Sequence, residues 1–315
     1  MKERKTGLAG QIIAVILYKL LLNTGRRFVY PFAPALSRGL EVPLTAVTSI
    51  IATGQMTSLL GLFSGPLADR LGYRKVMRVG LVMLTLGMLL CGLVPAYWPV
   101  FIGLVVASFG KTVFDPAIHA FIGKNVPLER RGRIVGLVET SWAGSTLIGI
   151  PAFALIIDHV GLRGSFFFFA LLGAVGWFSI SRIIPADDQK KVEKKRSQGL
   201  FAILGQLLKE RSAAGMLGFG FLISLANDSL FVVYGAWFEQ EFLVSIVTLG
   251  FSTVAIGAAE LLGESMTAFI SDRLGLKKSI IIGLCLATLA YLLLPFIGHS
   301  LSLAMVGMFC VFLTF

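Results

Sequence analysis

Charge is what this chain has least of. Of 315 residues only 14% are Asp, Glu, Lys or Arg, while 56% are hydrophobic, and the mean hydropathy is +0.84. A soluble globular domain carries about 25% charge, so a water-soluble fold would need a series of core helices with almost no polar face. Cysteine is scarce as well. Cys91, Cys285 and Cys310 lie scattered in apolar stretches, which excludes a disulfide framework or a thiolate metal site. His119, His159 and His299 are equally isolated. There is no nucleophile elbow, no phosphate-cradling glycine loop and no metal-ligand cluster, so no enzyme, no cofactor and no direct ATP drive is expected.

What the chain does have is apolar runs close to the roughly 20 residues that cross a bilayer. They fall at about 9–32, 43–64, 78–94, 98–122, 134–157, 165–184, 212–237, 244–268 and 279–297, and a tenth begins near Leu301 and is cut off at Phe315. The expected fold is an all-α polytopic membrane protein with nine complete spans and a tenth cut short. MKERK before the first run resembles the basic start of a signal peptide. Lys19 interrupts that run, however, and no small-x-small cleavage site follows, so the run is read as a retained first helix.

The net charge of +11 would suit nucleic acid if it were gathered on one face. It is instead spread over alternate connections. The region before the first run, Arg70–Arg78, Lys124–Arg133, Arg182–Arg211 and Arg273–Lys278 together hold 22 of the 28 Lys and Arg. By the positive-inside rule these connections and the N-terminus are cytoplasmic. The charge is a topology signal, which places the chain in the cell membrane and excludes nucleic acid as a partner.

One basic connection carries a motif. Residues 65–75 read GPLADRLGYRK, and residues 268–278 read AFISDRLGLKK. An offset of 203 lays Asp69 on Asp272, Arg70 on Arg273 and Gly72 on Gly275, and the same offset superposes the apolar runs. Gly65 would let a neighbouring helix come close, and Gly72 would permit a tight reversal. Asp69 can accept from loop amides or face a helix N-terminus, while Arg70, Arg74 and Lys75 hold the loop inside. The repeat predicts an N-terminal six-helix bundle over 1–184 and an incomplete second bundle over 212–315. Between them, 185–211 reads as a charged cytoplasmic linker ending in an amphipathic stretch.

GPLADRLGYRK is similar to the loop signature between the second and third helices of the major facilitator superfamily, and the second copy resembles the degenerate repeat typical between helices eight and nine. PLERRG at 127–132 resembles that family's inner loop after the fourth helix, and GLVETSWAGSTLIGIPAF is similar to the fifth helix of sugar- and drug-efflux branches. The drug-antiporter pattern G-x-x-x-G-P-x-x-G-G is not matched: one residue separates Gly149 from Pro151 and the later glycines are missing. The resemblance implies a six-plus-six helix plan. It also implies a gate in which Asp69 latches the halves, with Gly65, Arg70, Gly72, Arg74, Asp272 and Arg273 as its motif positions; a plain topology anchor is the alternative.

Ionisable residues inside spans are costly and are candidates for function. Lys19, Asn23, Arg26 and Arg27 share one face at i, i+4, i+7 and i+8, with Lys19 about 16 Å along the helix from Leu8 at 1.5 Å per residue. Lys111, Asp115 and His119 form a stripe in the fourth span, and Glu139 enters the fifth at a depth near His119. Asn227 and Asp228 sit in the seventh span, and Glu260 and Glu264 fall toward the inner end of the eighth. Simpler readings stand beside these: one of Arg26 and Arg27 snorkelling to headgroups, Lys111–Asp115 as a neutralised structural pair, Glu264 solvated, and Trp142 and Trp237 as packing or interfacial residues. The offset places Asp228 opposite Gly25, which predicts a pair between Asp228 and Arg26 or Arg27.

The functional expectation is a secondary active transporter of a small solute working by alternating access, with proton-coupled efflux favoured. Coupling would run through Asp115, Glu139 or Asp228, because a carboxylate shielded from water can hold a proton near neutral pH. Four cations (Lys19, Arg26, Arg27, Lys111) favour an anionic or polar solute. The expected partners are that solute, protons and the bilayer, with a monomer when the chain is complete. The alternative is a transport-inactive sensor or scaffold that keeps the fold. Sliding Ile184 by 203 puts the end of the second half near 387, so the chain is expected to be a fragment or a truncated reading frame that shows no flux by itself.

Overall fold

A computed structural model describes residues 7–186, 205 and 208–314. Among these residues the regular structure is entirely helical. Most of the 185–211 linker with its amphipathic stretch and the basic N-terminal residues lie outside the described part, as do the surroundings of Gly65 and the side chains of Asp69 and Asp272.

Helix α1 (Leu8–Arg27) leads through a short helix α2 (Ala33–Gly39) into a broken second element. That element is α3 (Leu44–Met56), a 3₁₀ turn at Thr57–Leu60 and α4 (Gly61–Leu71). Helices α5 (Tyr73–Leu93) and α6 (Tyr97–Asn125) follow. Next come α7 (Leu128–Glu139), α8 (Ser141–Gly144), a π turn at Ser145–Gly149 and α9 (Ile150–Ile183). The second half holds α10 (Arg211–Phe242), α11 (Ile246–Leu274), α12 (Leu276–Ile297) and α13 (Leu301–Thr314). Seven of the described helical stretches are long and apolar enough to cross a membrane, and two shorter apolar ones lie at Leu44–Leu60 and Leu301–Thr314. The expected runs 134–157 and 165–184 both fall within the helical stretch Leu128–Ile183, which is broken by a kink at Gly161, where φ is 71° and ψ is 174°.

The internal repeat is written in the backbone. Gly72 (φ 88°, ψ 139°) ends α4 and starts α5, and Gly275 (φ 83°, ψ 148°) lies between α11 and α12. A positive φ of this kind costs glycine almost nothing and most other residues a good deal. The first half is drawn tight by small residues: a Cβ on Gly80 would lie 2.6 Å from the Gly110 carbonyl oxygen, so α5 and α6 meet backbone to backbone.

Prolines supply the remaining contacts. Pro116 inside α6 has no N–H to give the Thr112 carbonyl four residues back, and Ser64 Oγ donates to that oxygen at 3.1 Å from α4. Pro151 acts similarly in the fifth element. Ile150 N–H bonds the Ser145 carbonyl across the π turn, so the next donor, for Thr146, would be Pro151, which has none. Thr253 Oγ1 of α11 fills that place at 2.8 Å. The missing proline donor thus becomes a bond between the two halves.

Among the described residues, the contacts between the halves concentrate toward one end. In α10 the buried residues are Phe231, Tyr234, Gly235 and Phe238, with none over 211–230, and in α11 burial is concentrated over 249–259. Arg38 in the last turn of α2 donates to Glu239 across the same seam. Among the described residues, no buried contact of α10 lies over 211–230, toward the basic connections.

Candidate functional site

The polar interior is built on the contact between α1 and the irregular fifth element. Lys19 Nζ donates to Glu139 Oε2 at 2.6 Å, and one turn on Asn23 Nδ2 donates to Ser141 Oγ at 3.3 Å. Another turn on, Arg27 reaches the Trp142 carbonyl at 3.0 Å and Ser145 Oγ at 3.2 Å. The i, i+4, i+8 spacing matches the rise of a helix, and the π turn presents Ser145 and Thr146 toward it. Gly149 makes this approach possible, since a Cβ there would overlap Thr24.

Arg27 also crosses to the second half. Its Nη2 donates to Glu260 Oε1 at 2.6 Å and its Nη1 to Oε2 at 3.3 Å, and Thr146 Oγ1 donates to the same Oε2 at 2.9 Å. The Arg27 side chain is 4% exposed and that of Glu260 10%. The guanidinium lies between two rings, 4.1 Å from Trp142 and 5.0 Å from Phe231. A charge taken this far from water is tolerable only when it is paired and hydrogen-bonded, and here both partners are.

Arg26 faces another way. It donates to Gln55 Oε1 and, at 2.8 Å, to Ser58 Oγ. Gln55 Nε2 donates in turn to Tyr30 Oη and to Asp228 Oδ2, the latter at 3.1 Å. Lys111 Nζ donates to Asp115 Oδ2 at 2.5 Å. Arg26, Gln55, Ser58, Lys111, Trp142, Asn227, Asp228 and Phe231 surround a cavity of about 290 Å³ at the seam. The arrangement brings opposite charges from both halves to one small polar chamber with aromatic walls. It has the size and polarity to hold a small solute.

Several expectations are revised by this geometry. Arg26 and Asp228 form no direct ion pair among the described residues, because Gln55 stands between them; Arg27 is taken by Glu260 instead. Neither arginine snorkels outward: Arg27 is 3% exposed and Arg26 is tied to α3 and the 3₁₀ turn. Arg26 also leaves the face shared by Lys19, Asn23 and Arg27. Glu139 goes to Lys19 rather than His119, which is exposed. Trp142 is a cavity wall, while Trp237 packs among Phe238, Phe242 and Gly298. The excess of cations disappears, because Lys19, Arg26, Arg27 and Lys111 are balanced by Glu139, Asp115, Asp228 and Glu260. In the motif, Arg70 and Arg273 are exposed, Arg74 donates to the Ser181 carbonyl near the end of α9, and Gly72 makes the reversal.

Gln55, Ser58, Thr146 and the depth of Glu260 are what sequence reasoning missed. Gln55 carries a visible signal, as the lone amide in the run 43–64. Glu260 does not, since its partner lies 233 residues away.

Comparison with known proteins gives a consistent result. The family model described as "Major Facilitator Superfamily" matches residues 15–315. The chain is 23% identical over 257 residues to the uncharacterized MFS-type transporter YceJ of Bacillus subtilis, covering 82% of this chain and 65% of YceJ. It is 25% identical over 296 residues to the multidrug resistance protein MdtG of Salmonella arizonae, covering 90% of this chain and 72% of MdtG. The chain thus spans about two thirds of the length of these relatives. In fold it is similar to the xylose transporter XylE from E. coli in a partially occluded inward-open conformation, with a TM-score of 0.69 at 14% identity over 98% of this chain and 84% of XylE.

Proposed function

Since the chain belongs to the Major Facilitator Superfamily, a family of multi-pass membrane transporters rather than enzymes, we propose that it is a secondary active transporter moving a small polar solute by alternating access, with proton-coupled efflux as the mode. The observation that carries this reading is the chamber at the seam. Arg27 and Glu260, and Arg26 and Asp228 through Gln55, join the two halves at membrane depth, beside a cavity of about 290 Å³. Rocking of the 1–184 bundle against 212–315 would break these contacts and expose the cavity at one end or the other. Nine spans with 301–314 as the tenth are supported by the break at Gly161 and by the broken element 44–71. The basic connections favour a cytoplasmic N-terminus and a cavity open to the cytoplasm. MdtG, a relative described as a multidrug resistance protein, favours export, and the balanced charges favour a solute without large net charge.

The coupling carboxylates proposed are Asp115 and Glu139, each bound to a lysine that a proton on the acid would release. The test is solute flux into inside-out vesicles under an imposed pH gradient. Glu139→Gln and Asp115→Asn should abolish the dependence on the gradient while leaving the protein folded. Unchanged proton-driven flux in both variants would remove these residues from the mechanism.

A further inference from the structure

Gln55 stands between two opposite charges that belong to different halves. Its oxygen accepts from Arg26, and its Nε2 donates to Asp228 Oδ2 and to Tyr30 Oη. The oxygen and nitrogen of a carboxamide are about 2.3 Å apart by their bond lengths. Arg26 and Asp228 are therefore held at the spacing of an acceptor and a donor on neighbouring atoms. Each end has capacity in reserve. Beside Asp228, Asn227 Oδ1 is buried with no hydrogen-bond partner among the described residues, and a buried orphan acceptor of this kind calls for an N–H or O–H donor. Beside Arg26, the Ser58 hydroxyl is bound at 2.8 Å, and Lys111 reaches the same cavity.

Net charge narrows the ligand further. Within the bonded network, the four cations and four carboxylates cancel formally, while Glu264, exposed one turn beyond Glu260, stands outside it. A lone anion at Arg26 would face Asp228, and a lone cation at Asp228 would face Arg26, each bringing an unbalanced charge into a low-dielectric space. A molecule carrying both charges meets each with its opposite, through charge-assisted bonds stronger than those of a neutral amide. A cavity of about 290 Å³ suits a small molecule.

We propose that Arg26 and Asp228 bind the two ends of a small zwitterion whose carboxylate and ammonium share one carbon, as in an α-amino acid, and that the Gln55 carboxamide gives way to it. The carboxylate takes the Arg26 guanidinium and the Ser58 hydroxyl, and the ammonium takes Asp228 and Asn227 Oδ1. This names the substrate class of the transporter proposed above and rests on that reading.

The test is isothermal titration calorimetry on the purified protein with a panel of α-amino acids. Each is paired with its N-acetyl form, which keeps only the anion, and its carboxamide form, which keeps only the cation. At least one free amino acid should bind about tenfold or more tightly than both of its derivatives, the loss expected when a charged hydrogen-bond partner is removed. Asp228→Asn should erase the advantage over the N-acetyl form and Arg26→Gln the advantage over the carboxamide. Equal binding by a derivative, or binding by no member of the panel, overturns the proposal. The wild-type ranking alone decides if a variant fails to fold. Proton-driven flux of some other solute without zwitterion binding refutes the substrate class and leaves the transporter reading; zwitterion binding without flux of any solute does the reverse.

Discussion

Replacing Arg27 by methionine should cost far more stability than replacing Glu260, although the two form one ion pair. Breaking a buried pair by removing one partner typically costs about 3–5 kcal/mol, because the other charge is left uncompensated. The residual partners differ. Without Arg27, Glu260 keeps the Thr146 hydroxyl at 2.9 Å. Without Glu260, Arg27 keeps the Trp142 carbonyl, Ser145 Oγ and two aromatic faces at 4.1 and 5.0 Å, and a desolvated cation–π contact contributes up to about 2 kcal/mol. Arg27→Met is therefore expected to cost about 3–5 kcal/mol and Glu260→Met about 1–2 kcal/mol. The double variant, which removes both charges, should cost about 1 kcal/mol, giving a coupling of about 3–6 kcal/mol. Neutral side-chain pairs in membrane proteins reach at most about 1.7 kcal/mol, so a value of this size would mark a charged, desolvated bond. The assay is reversible unfolding in mixed detergent for the wild type and all three variants. Coupling below about 0.5 kcal/mol, or a larger loss in Glu260→Met than in Arg27→Met, would refute the assignment of this pair as the bond between the halves.

Two further outcomes follow from the fold. Ser64→Ala should destabilise by about 1 kcal/mol by leaving the Thr112 carbonyl without its hydroxyl donor; in a Pro116→Ala background the same change should cost nothing, because residue 116 then supplies its own N–H. Equal losses in both backgrounds by thermal unfolding would contradict this account. A cysteine placed at Gln198 should resist a membrane-impermeant reagent added outside intact cells and react after permeabilisation, as a cytoplasmic linker requires; outside labelling would invert the topology.

Much of the architecture was legible because lipid imposes simple demands. Apolar length, basic connections and the 203-residue offset are one-dimensional properties, and Gly72 and Gly275 share their backbone conformation because both copies of the motif need the same reversal. The Lys111–Asp115 bond was legible for the same reason, since i and i+4 are neighbours on any helix. The candidate site was read less well. Its cations were all visible, but their partners were not, because partner choice depends on how helices far apart in sequence rotate and meet.

The sequence by itself determined that this is a helical membrane protein with a repeated plan and with charges at spanning depth that need company. Only the tertiary structure decided which company. The π turn before Pro151 brought Thr146 to Glu260, Gly149 let α1 come close enough for Arg27 to reach it, and Gln55 was interposed between Arg26 and Asp228. Hydropathy fixes how deep a residue lies. The side chain it faces across a seam is fixed by packing, and packing is a property of the whole chain.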